Sequence, residues 1–463
     1  MAAPAKVTTS IAAAVALAAI AGCAGPLRGG PAPHTRKGRV APHAPAQTLR
    51  LIGDGSTAYT GEQPNQPTPV RLEPGKRPPQ FVVFSWDGAG EDGRRLFSHF
   101  RAVGKKYQAT MTFFLSGVYL LPEGKRDLYA PPRHAPGTSA IGFNDVQGIK
   151  DTVTQIRGAW QEGHEIGTHF NGHFCGPRGA GVWTPAEWIS EIEQAEEFVK
   201  RWKTNSGLTS ERPLPFDYSR ELVGGRAPCL EGQRNLLRAA RAMGFRYDAS
   251  SPGGRQTWPR KTGGIWDFPL QAIPLPGRRF ETLSMDYNFL ANQSGTTHGD
   301  RALHAAWGRQ MLGGVMEGFK RAYHGNRAPL FIGDHFESWN GGTYMAAVEK
   351  AIKAICLRKG VRCVSFKQLA DWLDAQQPDV LARLRGLRVG ESPKGGWASY
   401  LADAAGPSDR AGVPDTAGGT PYATPYGAPY APTGRPDGPV LPADADARSG
   451  PIRPIGPIRP AAE

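Results

Sequence analysis

The chain has 463 residues, 40% of them apolar, which is enough for one large domain or two ordinary ones with a real core. Its 59 Gly and 42 Pro exceed what a fully folded chain of this length carries, so part of it is expected to lie outside any core. A formal charge of +14 suits an anionic wall polymer or membrane face, but no Lys/Arg-rich block with interleaved aromatics occurs, which argues against a nucleic-acid partner.

The N-terminus reads as an export signal. Lys6 supplies a thin positive region, and "SIAAAVALAAIA" (residues 10–21) is an apolar run too short to span a bilayer comfortably. It ends at "IAGC" (residues 20–23), which resembles the lipobox of bacterial lipoproteins. That resemblance implies removal of residues 1–22, lipidation of Cys23, and a tether to the outer face of the cell membrane. Four further cysteines, Cys175, Cys229, Cys356 and Cys363, allow three pairings in an exported chain. Cys356 and Cys363 flank a loop short enough for a local bridge, which would leave Cys175 with Cys229.

Residues 23–78 are Pro-, Gly- and Thr-rich and read as a flexible linker, with "TLRLI" (residues 48–52) as a lone strand. The body is expected over residues 79–387. "FVVFSW" is a buried strand ending at Asp87, "RRLFSHFRAVGKKY" a helix with Leu96, Phe97, Phe100 and Val103 on one side, and "ATMTFFLSG" a second buried strand. "IKDTVTQIRGAWQEG" predicts a helix leading into the strand "HEIGTH". In "TPAEWISEIEQAEEFVKRWKTNSG" Thr184 is the N-cap, Pro185 the first helical residue and Gly207 the stop. There follow "RELVGGRAP" (strand and turn), "QRNLLRAARAMG" (helix), "FRYDAS" (strand), a Pro/Gly-rich loop and "WDFPLQ". Then come the helix "ALHAAWGRQMLGGVMEGFKRAYHG", the strand "APLFIGDH", the helix "TYMAAVEKAIKAICLRKG", the strand "VRCVSF" and the helix "KQLADWLDAQ". Residues 388–463, with "TPYATPYGAPYAPTGRPDGP" and "GPIRPIGPIRP", are low-complexity and read as a disordered tail.

Buried strands alternating with amphipathic helices predict an α/β fold with a parallel sheet, and the number of units suggests a barrel. Asp87, His169, Arg226, Asp248 and His335 all fall at or just past the C-terminal end of a strand, the edge where active sites of parallel α/β folds collect.

In "GHEIGTHFNGHFCG" His169 and His173 stand four apart, and a helix or tight turn through Asn171 and Gly172 would bring both imidazoles to one cation. His164 reads as a structural histidine. Here the sequence resembles the polysaccharide deacetylases, carbohydrate esterase family four. "GHEIGTHFNGH" is similar to their second motif, "FSWDGA" to their first, "GGRAPCL" to their third, and "NRAPLFIGDH" to the strand ending in their catalytic histidine.

The resemblance runs from about residue 79 to 375. It implies a distorted (β/α) barrel and metal-dependent removal of acetyl groups from N-acetylglucosamine units in peptidoglycan or a chitin-like glycan, by a monomer. Carried over, His169 and His173 hold a divalent metal, zinc by preference, and Asp87 is the general base. Arg226 orients Asp87, His335 is the general acid, and the backbone amide of Cys229 helps bind the oxyanion. Asp248 is placed to pair with Arg226 or to tune His335.

The chain departs from the family at Gly88, where the metal-binding second Asp of the first motif is missing. Asp87 itself, Asp92, Asp286 or Asp334 would then have to supply the missing carboxylate. A second departure is Cys229 in place of Tyr; a Cys175–Cys229 bridge would pin the metal loop to the oxyanion loop. Trp160, Trp188 and Trp202 are expected in helix packing. Trp258, Trp266 and Trp339 are expected on the active face, stacking on sugar rings or capping the barrel.

Overall fold

The computed structural model describes residues 49–402. Cys23 and the leader, and residues 403–463 of the tail, lie outside the described residues.

The main sheet has nine strands, numbered here in chain order: β1 (Gln80–Asp87), β2 (Thr112–Leu115), β3 (Glu165–Thr168), β4 (Gly224–Gly225), β5 (Tyr247–Asp248), β6 (Arg260–Thr262), β7 (Ile265–Asp267), β8 (Leu330–His335) and β9 (Val361–Cys363). Its order is β8-β1-β2-β3-β4-β5-β7-β6, with β9 also paired to β1. All pairings are parallel except the β6–β7 hairpin. This is the expected α/β distorted barrel.

Alternation along β1 divides the core. Val82, Phe84 and Trp86 join the layer between sheet and helices, where Trp86 meets Phe100, Phe113 and Phe336. Phe81 and Val83 belong to the barrel interior. Phe366, at the start of helix Phe366–Asp374, plugs that interior, with ring centroids of Tyr247, Phe268 and Phe331 each 5.3 Å away. Glu165 fastens the same end, accepting hydrogen bonds from Thr112 Oγ1 (2.8 Å), the Tyr247 hydroxyl (2.8 Å) and the Lys367 amide (2.9 Å).

Between β7 and β8 the barrel closes through side chains. The Gln271 amide accepts from Phe331 N–H (3.1 Å) and donates to the Pro329 carbonyl (2.9 Å), standing in for a strand. Ser284 donates its hydroxyl to the Phe331 carbonyl (2.6 Å) and accepts Gly333 N–H at its own carbonyl (2.9 Å). This stitch carries residues 284–286 onto the edge of β8.

Helix signals operate as the sequence implies. Thr184 and Glu187 form a capping box with Pro185 at the first position, and the helix runs Pro185–Lys200. It breaks at Arg201, resumes over Trp202–Ser206, and stops at Gly207 with φ +78°.

Both boundaries of the folded body differ from expectation. Arg50–Ile52 pairs with Thr57–Tyr59, so it is no lone strand, and Ala58 N–H donates to the Leu214 carbonyl while Leu214 N–H donates to the Ser56 carbonyl. Gln63 donates to the carbonyls of Trp160 and His164, and Leu72 N–H reaches Gln376. Polar side chains thus dock an apolar-poor segment that composition marks as linker. Likewise Leu401 is buried, accepts the Gly75 amide, and follows Tyr400, which bonds Arg383. Among the described residues, packed structure thus extends before residue 79 and beyond residue 387.

Candidate active site

Asp87 ends β1 and His335 ends β8, paired in register with it. Asp87 is almost fully buried and accepts 2.8 Å from Arg226 Nη1. Arg226 follows β4, has no exposed surface, and lies over the rings of Phe114 and Phe366 at 4.9 and 5.8 Å. It also donates to Ser85 Oγ (2.9 Å) and, through Nε, to the Ala249 carbonyl (3.0 Å). Burial works against charge on Asp87, but Arg226 and the imidazoles of His169 and His335 outweigh it and hold the carboxyl below its ordinary value. Asp87 is thus an ionised carboxylate in a fixed orientation.

His169 directly follows β3 and bonds through Nδ1 to the Arg226 carbonyl at 2.7 Å, which turns Nε2 outward with its lone pair available. His173 follows in a loop, not a helix: Phe170 and His173 sit at φ +60° and +54°. That turn brings the two rings to 5.1 Å. Burial lowers the pKa of His169, and burial with the neighbouring His169 and His335 pushes His173 down to about 3. Both are neutral imidazoles, the form that binds a metal.

A network that sequence reasoning missed holds this loop. Buried Glu191 accepts the Tyr129 hydroxyl (2.9 Å) and Asn171 N–H (3.1 Å), its carbonyl takes Asn171 Nδ2 (2.8 Å), and Gly172 N–H donates back to the Tyr129 oxygen (3.0 Å). A polar residue on the buried side of an amphipathic helix was the available signal.

His335 corrects one expectation. Its Nδ1 meets Asp286 Oδ1 at 2.8 Å, and its backbone N–H donates to Asp286 Oδ2 at 2.8 Å. Burial alone would lower the His335 pKa, but the Asp286 carboxylate more than offsets it and pushes it up to about 9. Asp286, not Asp248, is the partner of His335. Asp248 faces its own strand end, accepting Ser250 Oγ (2.6 Å), while Ser250 Oγ accepts Ala227 N–H (2.8 Å). It neither bonds Arg226 nor reaches His335; burial, with Asp267 beside it, raises its pKa to about 7. Its role is to shape the loop before Pro228.

Asp334 does not substitute for the missing carboxylate either. At Gly333 a Cβ would meet Arg226 Nη1 at 3.1 Å, so the next residue points to the other face of the sheet. Asp92 bonds Arg94 on the exposed side. Asp286 is committed to His335. Among the described residues, the one set of three His, Cys, Asp or Glu donors lying within 4.8 Å of one another is His173, Cys175 and Cys229. Both of its sulfurs are joined in the Cys175–Cys229 disulfide, which exists as expected, as does Cys356–Cys363.

The residues present therefore fit a divalent cation on two neutral imidazoles, with no carboxylate completing the set. Gly88, where the resemblance expects a carboxylate, has φ +67°, and a Cβ there would find Tyr119 Oη at 3.6 Å and Ser116 Oγ at 3.8 Å, both ordinary contacts.

Of the tryptophans, Trp258 and Trp266 are buried, with Nε1 bonded to the Asn326 carbonyl and to Asp374, so they pack the barrel and present no face to a ligand. Trp339 is half-buried, 5.3 Å from the His335 ring and 6.2 Å from Tyr287. Trp160, Trp188 and Trp202 are buried in helix packing, and buried His164 accepts Met111 N–H at 3.0 Å.

No family model matches the chain, and no curated relative does. Solved structures do. One is a Mycobacterium smegmatis protein assigned as a polysaccharide deacetylase, 16% identical, covering 67% of this chain and 95% of its own, with a TM-score of 0.41. A Pseudomonas aeruginosa protein with the same assignment is 15% identical over 64% of this chain and 92% of its own, TM-score 0.39. A family-four pseudoenzyme from Bacillus anthracis is 10% identical over 67% and 71%, TM-score 0.34.

Proposed function

We propose that the protein is a metal-dependent hydrolase that removes acetyl groups from N-acetylglucosamine units of an envelope glycan, peptidoglycan or chitin-like. The observation that carries this reading is the pairing of Asp87 with Arg226 and of His335 with Asp286 at adjacent strand ends, facing the imidazoles of His169 and His173. A divalent cation on His169 and His173, zinc by the preference of such nitrogen donors, would supply Lewis acidity toward the acetyl carbonyl.

The chain's own residues do the rest. Asp87, kept ionised by Arg226, accepts a proton from the attacking water at its carboxylate. His335, protonated because Asp286 holds Nδ1–H, delivers a proton from Nε2 to the departing amine. The Cys229 amide, on the loop shaped by Asp248 and Ser250, donates to the oxyanion. Trp339, half-buried beside His335, offers a ring face to a sugar. The leader and Cys23 support export and a lipid anchor on the outer face of the cell membrane, with a monomer as the working unit.

A second reading, a glycan-binding barrel with impaired metal affinity, is favoured by one feature, Gly88. Metal content of the purified protein and acetate release from an acetylated chitooligosaccharide, with and without chelator, separate the two. Chelator-sensitive acetate release supports the hydrolase. Retained glycan binding with neither metal nor acetate would leave only the binding protein.

A further inference from the structure

Cys175 and Cys229 are the exposed pair of disulfide cysteines, whereas Cys356 and Cys363 are 7% and 6% exposed. Cys175 Sγ lies 3.9 Å from His173 Nδ1, and the donor atoms of His173, Cys175 and Cys229 fall within 4.8 Å of one another. Donors on a single tetrahedral zinc ion, at bond lengths of about 2.0–2.3 Å, stand roughly 3.5 Å apart, so Cys175 Sγ and His173 Nδ1 are already near that spacing, while the two bonded sulfurs reach it only by separating once reduced. Backbone geometry, rather than the crosslink alone, brings them together. His173 and Cys229 each hold positive φ, +54° and +55°, and Glu231 Oε2 ties the two loops independently by accepting Gly176 N–H at 3.0 Å and Gly181 N–H at 3.2 Å.

We propose that reduction of Cys175–Cys229 creates a second metal site, in which both thiolates and the His173 imidazole bind a soft divalent cation such as zinc. A dithiol reductant supplies two electrons and two protons: the S–S bond breaks, two cysteine thiols form, and the reductant closes to its own disulfide. Each thiol releases its proton as the metal binds. The two states compete for His173. In the disulfide form its ring serves the pair with His169; in the dithiol form it turns to sulfur, and the cation leaves the position that faces Asp87 and His335. The protein would thus exchange an open imidazole site for a closed, sulfur-rich one; the sulfur site stands by itself, while the exchange rests on the His169–His173 cation of the proposed function.

The test uses the full chain carrying Cys23→Ser, oxidised or treated with dithiothreitol that is then removed, with thiol titration confirming two new thiols. Cobalt(II) is the spectroscopic probe and zinc the calorimetric one. The reduced protein should show a sulfur-to-cobalt charge-transfer band absent from the oxidised protein, and bind zinc at least about tenfold more tightly. Alkylating the two thiols with iodoacetamide, or Cys175→Ser with Cys229→Ser, should abolish the band. The alkylated protein serves if the double variant fails to fold. A reduced protein that binds cobalt without that band, or zinc no more tightly than the oxidised form, would overturn the proposal.

Discussion

Gly88→Asp is the most informative substitution this site offers. Two energies oppose each other. Gly88 holds φ +67°, where a residue with a Cβ costs roughly 1–2 kcal/mol, Asp being at the low end because its side chain tolerates left-handed backbone. Steric cost adds little, since Tyr119 Oη, Tyr119 Cε2 and Ser116 Oγ would lie 3.6, 3.7 and 3.8 Å from the new Cβ. Against this would stand the third protein ligand that the resemblance places at this position. A tenfold gain in affinity is about 1.4 kcal/mol, and zinc at about a hundred times its Kd stabilises the fold by about 2.7 kcal/mol. The metal-free variant should therefore unfold at lower denaturant than wild type, and the zinc-loaded variant should recover that loss. Calorimetric zinc titration of Gly88→Asp beside Gly88→Asn isolates the carboxylate, because the two share the lower left-handed backbone cost, with Gly88→Ala as the control that carries no ligand atom. Zinc affinity at least about tenfold above the Ala variant is expected. Equal affinity in the three would refute the idea that Gly88 marks the missing ligand.

Asp286→Asn should drop the His335 pKa from about 9 toward its ordinary value, read by NMR titration of the imidazole, whereas Asp248→Asn should leave it in place. Because His335 titrates higher folded than unfolded, the Asp286 partnership stabilises fully below about pH 6.5 and is lost as pH rises through about 9. The gap in unfolding free energy between wild type and Asp286→Asn should close over that window, and a gap that widens with pH would contradict the pairing. Tyr129→Phe strips the bond from Gly172 N–H and one from buried Glu191, and should cost about 1–3 kcal/mol in denaturant unfolding with a parallel fall in zinc affinity. Unchanged zinc affinity would show that the loop keeps its shape without this network.

Periodicity and punctuation determined a good deal on their own. The run from Gln80 to Asp87, the capping box at Thr184, and the buried strand ending in His335 are local patterns that state their element and its end. Motif order also named Asp87, His169, His173, Arg226 and His335, because strand ends of a parallel barrel share one rim. Only the tertiary structure decided which carboxylate meets which base. Asp286 lies 49 positions before His335 and reaches it because Gln271 and Ser284 stitch an irregular segment onto β8. Asp248 sits at a strand end yet turns to Ser250, since a strand's position along the rim does not fix where its side chain points. The docked segments around Gln63 and Leu401 escaped composition for a similar reason. They are held by scattered hydrogen bonds and single buried side chains, whose partners lie about a hundred or more residues away and leave no periodic trace.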